Sequence, residues 1–438
     1  MPFHQALKIW IKVGIYSFGG PAGQIAVMHK YLVEDTKWVD ENSFLHALNY
    51  CMLLPGPEAQ QLATYIGWKL HKIKGGLVAG SLFVLPGFIS ILILSILYAG
   101  FKETTMVQAL FYGIKPAVMA IVVQAVFKIG KRALKNEVMV LISFLSFLAI
   151  FLFNIPFPVI VIAAGLIGFI GGRIREDKFY VIQGHSIVNQ EMTEDAAVKP
   201  SLTASLKTAG FWLSLWFLPI CLLALFLGQD NIFFIESIFF SKAAVVTFGG
   251  AYSVLAYIAQ QAVEIYHWLA PGEMLDGLGM AETTPGPLIQ VVQFVGFMGA
   301  YRQSGLLDPM MAGVLASILV TWVTFIPCFL FIFLGAPYIE FFRGNKALTT
   351  VLSAITAAVV GVILNLGIWF SIHTIFREVQ VFENYGLKLD IPVWSTVDIY
   401  ALIIAIGAFV ALLKIKMDML KVLAISVLAG MVFYFLNK

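Results

Sequence analysis

The sequence predicts an all-α, polytopic integral membrane protein built from two homologous halves in inverted orientation. Three observations predict it. Of 438 residues, 60% are hydrophobic and 12% charged, against about 45–50% and about 25% in a soluble domain. Runs free of Asp, Glu, Lys and Arg cover 75–101, 138–172 and 309–339, and about 20 apolar residues cross a bilayer as a helix. The third observation is that the chain repeats itself, with Phe18-Gly19-Gly20 recurring as Phe248-Gly249-Gly250 and much around it recurring in step. A soluble fold could not hide this much apolar surface. The composition excludes a nucleic-acid binder, a secreted disulfide scaffold and an ordinary soluble enzyme.

Thirteen apolar segments are expected, at about 9–28, 44–68, 76–100, 108–128, 137–153, 157–172, 208–228, 241–262, 274–300, 310–334, 350–371, 397–414 and 417–436. The first two and their later counterparts carry Gly, Pro and polar residues, which marks them as broken or re-entrant helices. The divisions that follow are an N-terminal repeat (1–172), a polar linker (173–207), an extra segment with its loop (208–240) and a C-terminal repeat (241–438). The start of the chain reads as a first membrane element rather than a removable leader. The net charge of +3 points to no polyanionic partner. Cys51, Cys221 and Cys328 lie in apolar stretches without metal-ligand or disulfide spacing, and no cofactor is expected. Threading all thirteen segments with the N-terminus in the cytoplasm places 19 of the 28 Lys and Arg inside and seven outside, as the positive-inside rule requires.

The repeat decides the architecture. With Phe18-Gly19-Gly20 set on Phe248-Gly249-Gly250, the same alignment sets Glu34 on Glu264, Trp38 on Trp268, Pro55-Gly56-Pro57 on Pro285-Gly286-Pro287 and Gln60 on Gln290. From Ile15 to Gln60 there are 13 identities in 46 positions. Each half carries six segments and one more lies between, so the second copy is expected upside down. That is the plan of secondary transporters, whose sites lie near the midplane. An error of one in the count would instead give two parallel halves.

The repeated breaks carry the candidate chemistry. Gly exposes backbone and Pro suits the first position of a new helix, so helices are expected to restart at about Pro21 and Pro57 and at their counterparts. A helix N-terminus offers free N–H groups and about half a positive charge. Four meeting at the midplane suit a small divalent anion. The expected binding set is Phe18, Gly19, Gly20, Pro21, Gln24, Pro55, Gly56, Pro57 and Gln60, then Gly249, Gly250, Pro285, Gly286, Pro287 and Gln290, with Lys115 added as an intramembrane cation. For Lys115, attraction of an anion, carriage of a proton, snorkelling to an interface and pairing with a carboxylate all stand open. Glu58 and Glu282, beside the two Pro-Gly-Pro breaks, are the candidates for proton coupling; a helix-capping role stands open for Glu58. No Walker motif, metal-ligand cluster or nucleophile–base set is present to drive transport by ATP or to make the chain an enzyme.

The stretch FGGPAGQIAVMHKYLVEDTKWVDENSFLHALNYCMLLPGPEAQQLATYIGWKLHK, from Phe18 to Lys72, resembles the N-terminal signature of the chromate ion transporter family. VVTFGGAYSVLAYI and MAETTPGPLIQVVQFVGFMGA resemble the second-half signature of its two-domain members. Phe18, Gly19, Gly20, Pro21, Gln24, Pro55, Gly56, Pro57, Glu58 and Gln60 carry the pattern; Gly23 departs mildly, where Ala is more usual. The resemblance implies a multi-pass protein of the bacterial inner membrane that expels chromate, meets sulfate as a competitor and confers chromate resistance. The partners it implies are chromate, sulfate, protons and the lipid bilayer, with a homodimer left open. A carrier of another small anion is the competing reading, and a membrane enzyme or scaffold the more distant one.

Overall fold

A computed structural model describes residues 2–181, 202–338, 346–384 and 387–436. Residues 182–201 of the expected linker lie outside the described residues. The helices are α1 (Phe3–Tyr16), α2 (Gly20–His29), α3 (Glu41–Cys51), α4 (Glu58–Phe101), α5 (Thr105–Ala133), α6 (Glu137–Phe153), α7 (Phe157–Ile174) and the short α8 (Glu176–Phe179). Then come α9 (Leu202–Phe226), α10 (Ile232–Val246), α11 (Ala251–Gln260), α12 (Pro271–Thr283), α13 (Val291–Arg302), α14 (Pro309–Gly335) and α15 (Lys346–Ile375). An antiparallel hairpin, β1 (Val379–Asn384) with β2 (Leu387–Pro392), precedes α16 (Ile399–Leu413) and α17 (Met419–Leu436).

Among the described residues seven helices are long and apolar enough to cross a membrane, and α6 and α16 are shorter apolar helices. This is a multi-pass, all-α membrane protein. Its outward faces agree: Leu141, Phe144 and Leu145 on α6, Ile162 and Leu166 on α7, Leu225 on α9 and Leu428 on α17 are all exposed, a surface that water would not tolerate but lipid does. α4 changes direction at His71 and Lys72, where Lys72 takes φ +54°. Its second part is therefore the expected third segment. α9 starts at Leu202, ahead of the expected 208, because the apolar pattern extends back through Leu202 and Leu206.

The four segments with breaks are pairs of short helices folded back on themselves. In the first half, Lys69 near the end of α4's first part donates to Ser43 at the start of α3 (3.1 Å). His29, ending α2, meets Glu41 at 2.6 Å, and Phe3 at the start of α1 stacks edge-on with His71 at 5.4 Å. Tyr16 and Tyr31, on either side of the first break, stack at 6.5 Å; in one straight helix, their spacing in the chain would set them about 22 Å apart. In the second half the guanidinium of Arg302, ending α13, forks onto Glu273 in the first turn of α12 at 2.7 Å. Phe239 of α10 packs on Tyr257, Tyr266 and Trp268, beyond the break and the end of α11.

The repeat extends to fine detail. Each α2-type helix ends in a π-helical turn, 30–35 and 261–265. Trp38 and Val39 both donate to the Leu32 carbonyl, as Trp268 and Leu269 do to Ala262. Lys37 and His267 both sit at φ +52°.

Candidate functional site

The four breaks are held together by a reciprocal pair of backbone hydrogen bonds. Gly56 N–H, in the second break of the first half, donates to the Thr247 carbonyl in the first break of the second half (2.8 Å). Gly286 N–H donates to the Ser17 carbonyl (2.9 Å), which is the same contact with the halves exchanged. Below them, Ser17 Oγ donates to Val13 O and Thr247 Oγ1 to Ala243 O, at 2.5 and 2.6 Å, tying off the last carbonyls of α1 and α10. A contact matched by its own mirror is what a two-fold relation between the halves produces.

Glycine is required here for two different reasons. Gly56 and Gly286 take φ of +118° and +95° in crowded surroundings. A Cβ on Gly56 would come within 3.0 Å of Cys328 Sγ, and one on Gly286 within 3.1 Å of Gly87 Cα. At Gly19, Gly20 and Gly250, φ is again positive, but a Cβ would meet nothing within 4 Å. The first pair fixes the breaks against the crossing helices α4 and α14, and the second group borders open space at the starts of α2 and α11. Among the described residues, the N–H groups of Gly19, Gly20, Gly249 and Gly250 make no hydrogen bond outside the helical ladders.

The side chains around the breaks are neutral hydrogen-bonding groups. Gln24 Nε2 donates to Gly286 O at 2.7 Å, so α2 is locked to the opposite break. Gln61 Nε2 donates to Pro55 O (2.6 Å). Gln60 Nε2 reaches Thr64 Oγ1 (3.1 Å), while Gln290 Nε2 reaches Gln293 Oε1 (2.7 Å) and Thr321 Oγ1 (3.1 Å). The side-chain carbonyl oxygens of Gln60, Gln61 and Gln290 are buried with no hydrogen-bond partner among the described residues. Glu282, 1% exposed, receives a hydrogen bond from Tyr252 on one oxygen, and its other oxygen has no partner among the described residues. Glu58 is the half-buried first residue of α4, where a carboxylate is favourable to the helix dipole.

Phe18, Gly19, Gly20, Pro21, Gln24, Pro55, Gly56, Pro57, Gln60, Gly249, Gly250, Pro285, Gly286, Pro287 and Gln290 thus lie in or directly beside the breaks. Lys115 does not. Its Nζ stands 3.5 Å from Asp276 Oδ1, and Asp276 lies two helical turns before Thr284, about 12 Å along a helix. The residues around it are not among those the sequence singles out. Tyr98 OH donates to Asp276 Oδ2 (2.8 Å), and Lys102 lies 3.2 Å from Glu273, which also holds Arg302. Glu236 of α10 is fully buried with both oxygens unpartnered among the described residues. The signal that could have found Asp276 is an acid inside an apolar segment in a chain with one comparably placed lysine.

The sequence is similar to that of known transporters. The chain is 29% identical to a chromate transport protein of Pseudomonas aeruginosa, over 83% of this chain and 80% of that one. It is 28% identical to the chromate transport protein of Cupriavidus metallidurans, over 82% of this chain and 80% of that one. An uncharacterized transporter of Methanocaldococcus jannaschii is 26% identical over 97% of this chain and 94% of its own. No solved structure matches. The chromate transporter profile matches two stretches, residues 4–169 and 236–431; the chain belongs to the chromate transporter family.

Proposed function

We propose that this protein is a secondary carrier that exports chromate, a tetrahedral dianion, through an inverted-repeat core, with sulfate as a competitor. In this reading the four hairpins are re-entrant. Those of the first half enter from the cytoplasm, those of the second from outside, and nine helices cross: the second part of α4, then α5, α6, α7, α9, α14, α15, α16 and α17. Four crossings per half and one between invert the second copy. The charge distribution supports it. Because the first hairpins return to the cytoplasm, Lys30 and Lys37 join the inside, giving 21 Lys and Arg inside and five outside, a sharper bias than full crossings give.

The observation that carries the anion reading is the set of four helix starts, at Gly20, Glu58, Ala251 and Leu288, drawn together by the reciprocal Gly56 and Gly286 hydrogen bonds. Each terminus presents unpaired N–H groups and about half a positive charge. Together they compensate a dianion without a buried arginine. Irregular backbone at this depth is tolerated where it lines a cavity, and the open space beside Gly19, Gly20 and Gly250 is where the anion would lie. A membrane potential negative inside favours expulsion of a dianion by about 2.3 kcal/mol per charge per 100 mV. Proton coupling, if added, would run through Glu282, whose free oxygen lies beside the break, or through Glu58. Export of this kind in a bacterial plasma membrane would confer chromate resistance.

The test is chromate flux into and out of proteoliposomes holding the purified protein, under an imposed potential and with excess sulfate. Potential-driven chromate movement suppressed by sulfate is the expected result. Folded protein that moves another anion but not chromate would transfer the same site to that anion.

A further inference from the structure

Two ion pairs sit side by side in the first part of α12, and they are built differently. Glu273 is gripped by both Nη2 bonds of Arg302 at 2.7 Å, by Lys102 at 3.2 Å and by the Ala270 N–H at 2.8 Å. That carboxylate has no capacity left, and it clamps the hairpin ends. Asp276, one turn deeper and 3% exposed, is held firmly only by Tyr98 OH on Oδ2. Its Oδ1 has no hydrogen bond among the described residues and faces Lys115 Nζ across 3.5 Å.

Lys115 is part of α5, nearly three turns from that helix's start at Thr105, or about 15 Å. An ammonium at that depth is costly unless it meets a counter-ion or an aqueous cavity. The counter-ion it meets is the Asp276 carboxylate, and its side chain keeps 30% of its surface exposed. The close approach is prepared by the backbone, because a Cβ at Gly272 would lie 2.9 Å from Lys115 Nζ. The arrangement leaves a cation with unused donors, loosely paired, two helical turns along α12 from the nearest break.

We propose that Lys115 is a second station for the transported oxyanion, between the breaks and the α12 end of the second-half hairpin, and that Asp276 is its built-in competitor. With the station empty, the carboxylate compensates the ammonium. When the anion arrives, it takes the ammonium, and Tyr98 keeps the released carboxylate partnered. Competition of this kind keeps anion binding weak enough to leave, the condition that conduction through several sites imposes. The pair, which spans the two halves, has no counterpart with the halves exchanged: Asp276 falls on His46 in the alignment of the breaks, and Lys115 on Thr356 in the alignment that sets Val84-Leu85-Pro86 on Phe325-Ile326-Pro327. The station therefore belongs to one face of the carrier only.

This inference rests on the anion-carrier reading, and the experiment separates the two. Chromate binding at equilibrium and the concentration dependence of flux are measured on wild type, Asp276→Asn, Lys115→Met and the double variant Lys115→Met/Asp276→Asn. Asp276→Asn keeps an acceptor for Tyr98 and removes the competitor, so half-saturating chromate should fall about tenfold or more while the maximal rate also falls. Lys115→Met should raise it by a similar factor. The double variant carries neither charge, so it folds without a stranded ion, and it should behave as Lys115→Met. If both single variants merely lower the yield of folded protein and leave half-saturation unchanged, or if Asp276→Asn does not bind more tightly, the pair is a structural brace and the station is wrong. A wild type that neither binds nor moves chromate or sulfate overturns the carrier reading and the station with it.

Discussion

The two halves match in backbone and differ in charge. At the breaks, Ser17, Gly19, Gly20 and Gly56 superpose in role on Thr247, Gly249, Gly250 and Gly286, down to the reciprocal hydrogen bonds. Away from the breaks, the second half places Glu236, Glu273, Asp276 and Glu282 in buried positions where the first half has Ala6, Ser43, His46 and Met52. The shared part is backbone, whose N–H groups and dipoles, in the proposed site, would serve an anion from either side alike. The unshared part is buried carboxylate, which the second half's hairpins carry, whereas the first half has the half-buried Glu58 where the second has Leu288. In the proposed carrier, the first would let one site serve two access states, and the second would distinguish its two sides.

The largest expected effect attacks the shared part. Gly56→Ala and Gly286→Ala both force a side chain onto a positive φ, at about 1–3 kcal/mol, and both crowd a break. Anion flux should fall at least about tenfold in each, with inserted protein retained for Gly56→Ala. Gly286→Ala should be the harsher, since its Cβ meets the Gly87 backbone, whereas at Gly56 the neighbours are the side chains of Gln61 and Cys328. Wild-type flux in either variant would break the equivalence of the two breaks, and with it the helix-terminus site.

The next effect attacks the unshared part and is read as stability. Arg302→Ala weakens the hold on Glu273, whose side chain is only 10% exposed, leaving it to Lys102 and the Ala270 N–H. Breaking a buried pair costs about 3–5 kcal/mol, and the part-exposed Arg302 and remaining lysine reduce that to about 2–3 kcal/mol. The counterpart, Lys72, instead lies over the Trp68 ring at 5.6 Å, so Lys72→Ala should cost under about 1 kcal/mol. Thermal unfolding of the two variants in detergent, side by side with wild type, checks the ratio. Equal losses would mean that the ends of both hairpins are braced alike.

The breaks are legible in the sequence because Gly and Pro announce backbone geometry locally: Phe18-Gly19-Gly20-Pro21 and Pro55-Gly56-Pro57 stop and restart helices wherever they stand. What the breaks join is not legible. Segment 274–300 is long and apolar enough to cross a bilayer, and the contact between Arg302 and Glu273, at its opposite ends, reveals that it folds back. Hydropathy measures length, not direction. Glu273 and Asp276 are hidden for the same reason, since their partners Tyr98, Lys102 and Lys115 lie on helices of the other half. The β1–β2 hairpin is a subtler case. Val379 and Val381, then Leu387, Leu389 and Ile391, alternate as strands do, but the runs are short and lie between two much stronger helical signals.

Gln24 sharpens the comparison at the level of one hydrogen bond. Its amide holds Gly286 O from the first half, and the equivalent position in the second half is Val254, so one break is pinned by a side chain and the other is not. Gln24→Leu should lower stability by about 1–3 kcal/mol, the cost of leaving a buried carbonyl unmet, and should reduce flux by less than Gly286→Ala does. Val254→Gln, offering the missing donor, should not reduce stability if a break tolerates pinning on both sides. A Gln24→Leu protein as stable as wild type would show that the Ser17–Gly286 bond alone holds that break.

The smallest effect lies at the edge of the two halves. Glu34 pairs with His29 within its own hairpin at 3.1 Å, whereas its counterpart Glu264 reaches out to Lys388 of β2 at 2.7 Å. The hydrogen bond to Glu264 holds the Lys388 ammonium above its ordinary pKa of 10.5. A lysine with a raised folded-state pKa contributes fully below its unfolded value and loses that contribution only as pH rises through the folded one. Lys388→Gln should therefore cost the same at pH 7 and pH 9. Both side chains are partly solvated, at 32% and 21% exposure, so the loss is held to about 1 kcal/mol or less. A loss that grew between pH 7 and pH 9 would mean that the latch depends on a group other than Lys388, and the hairpin would then have to be attached to the second half in another way.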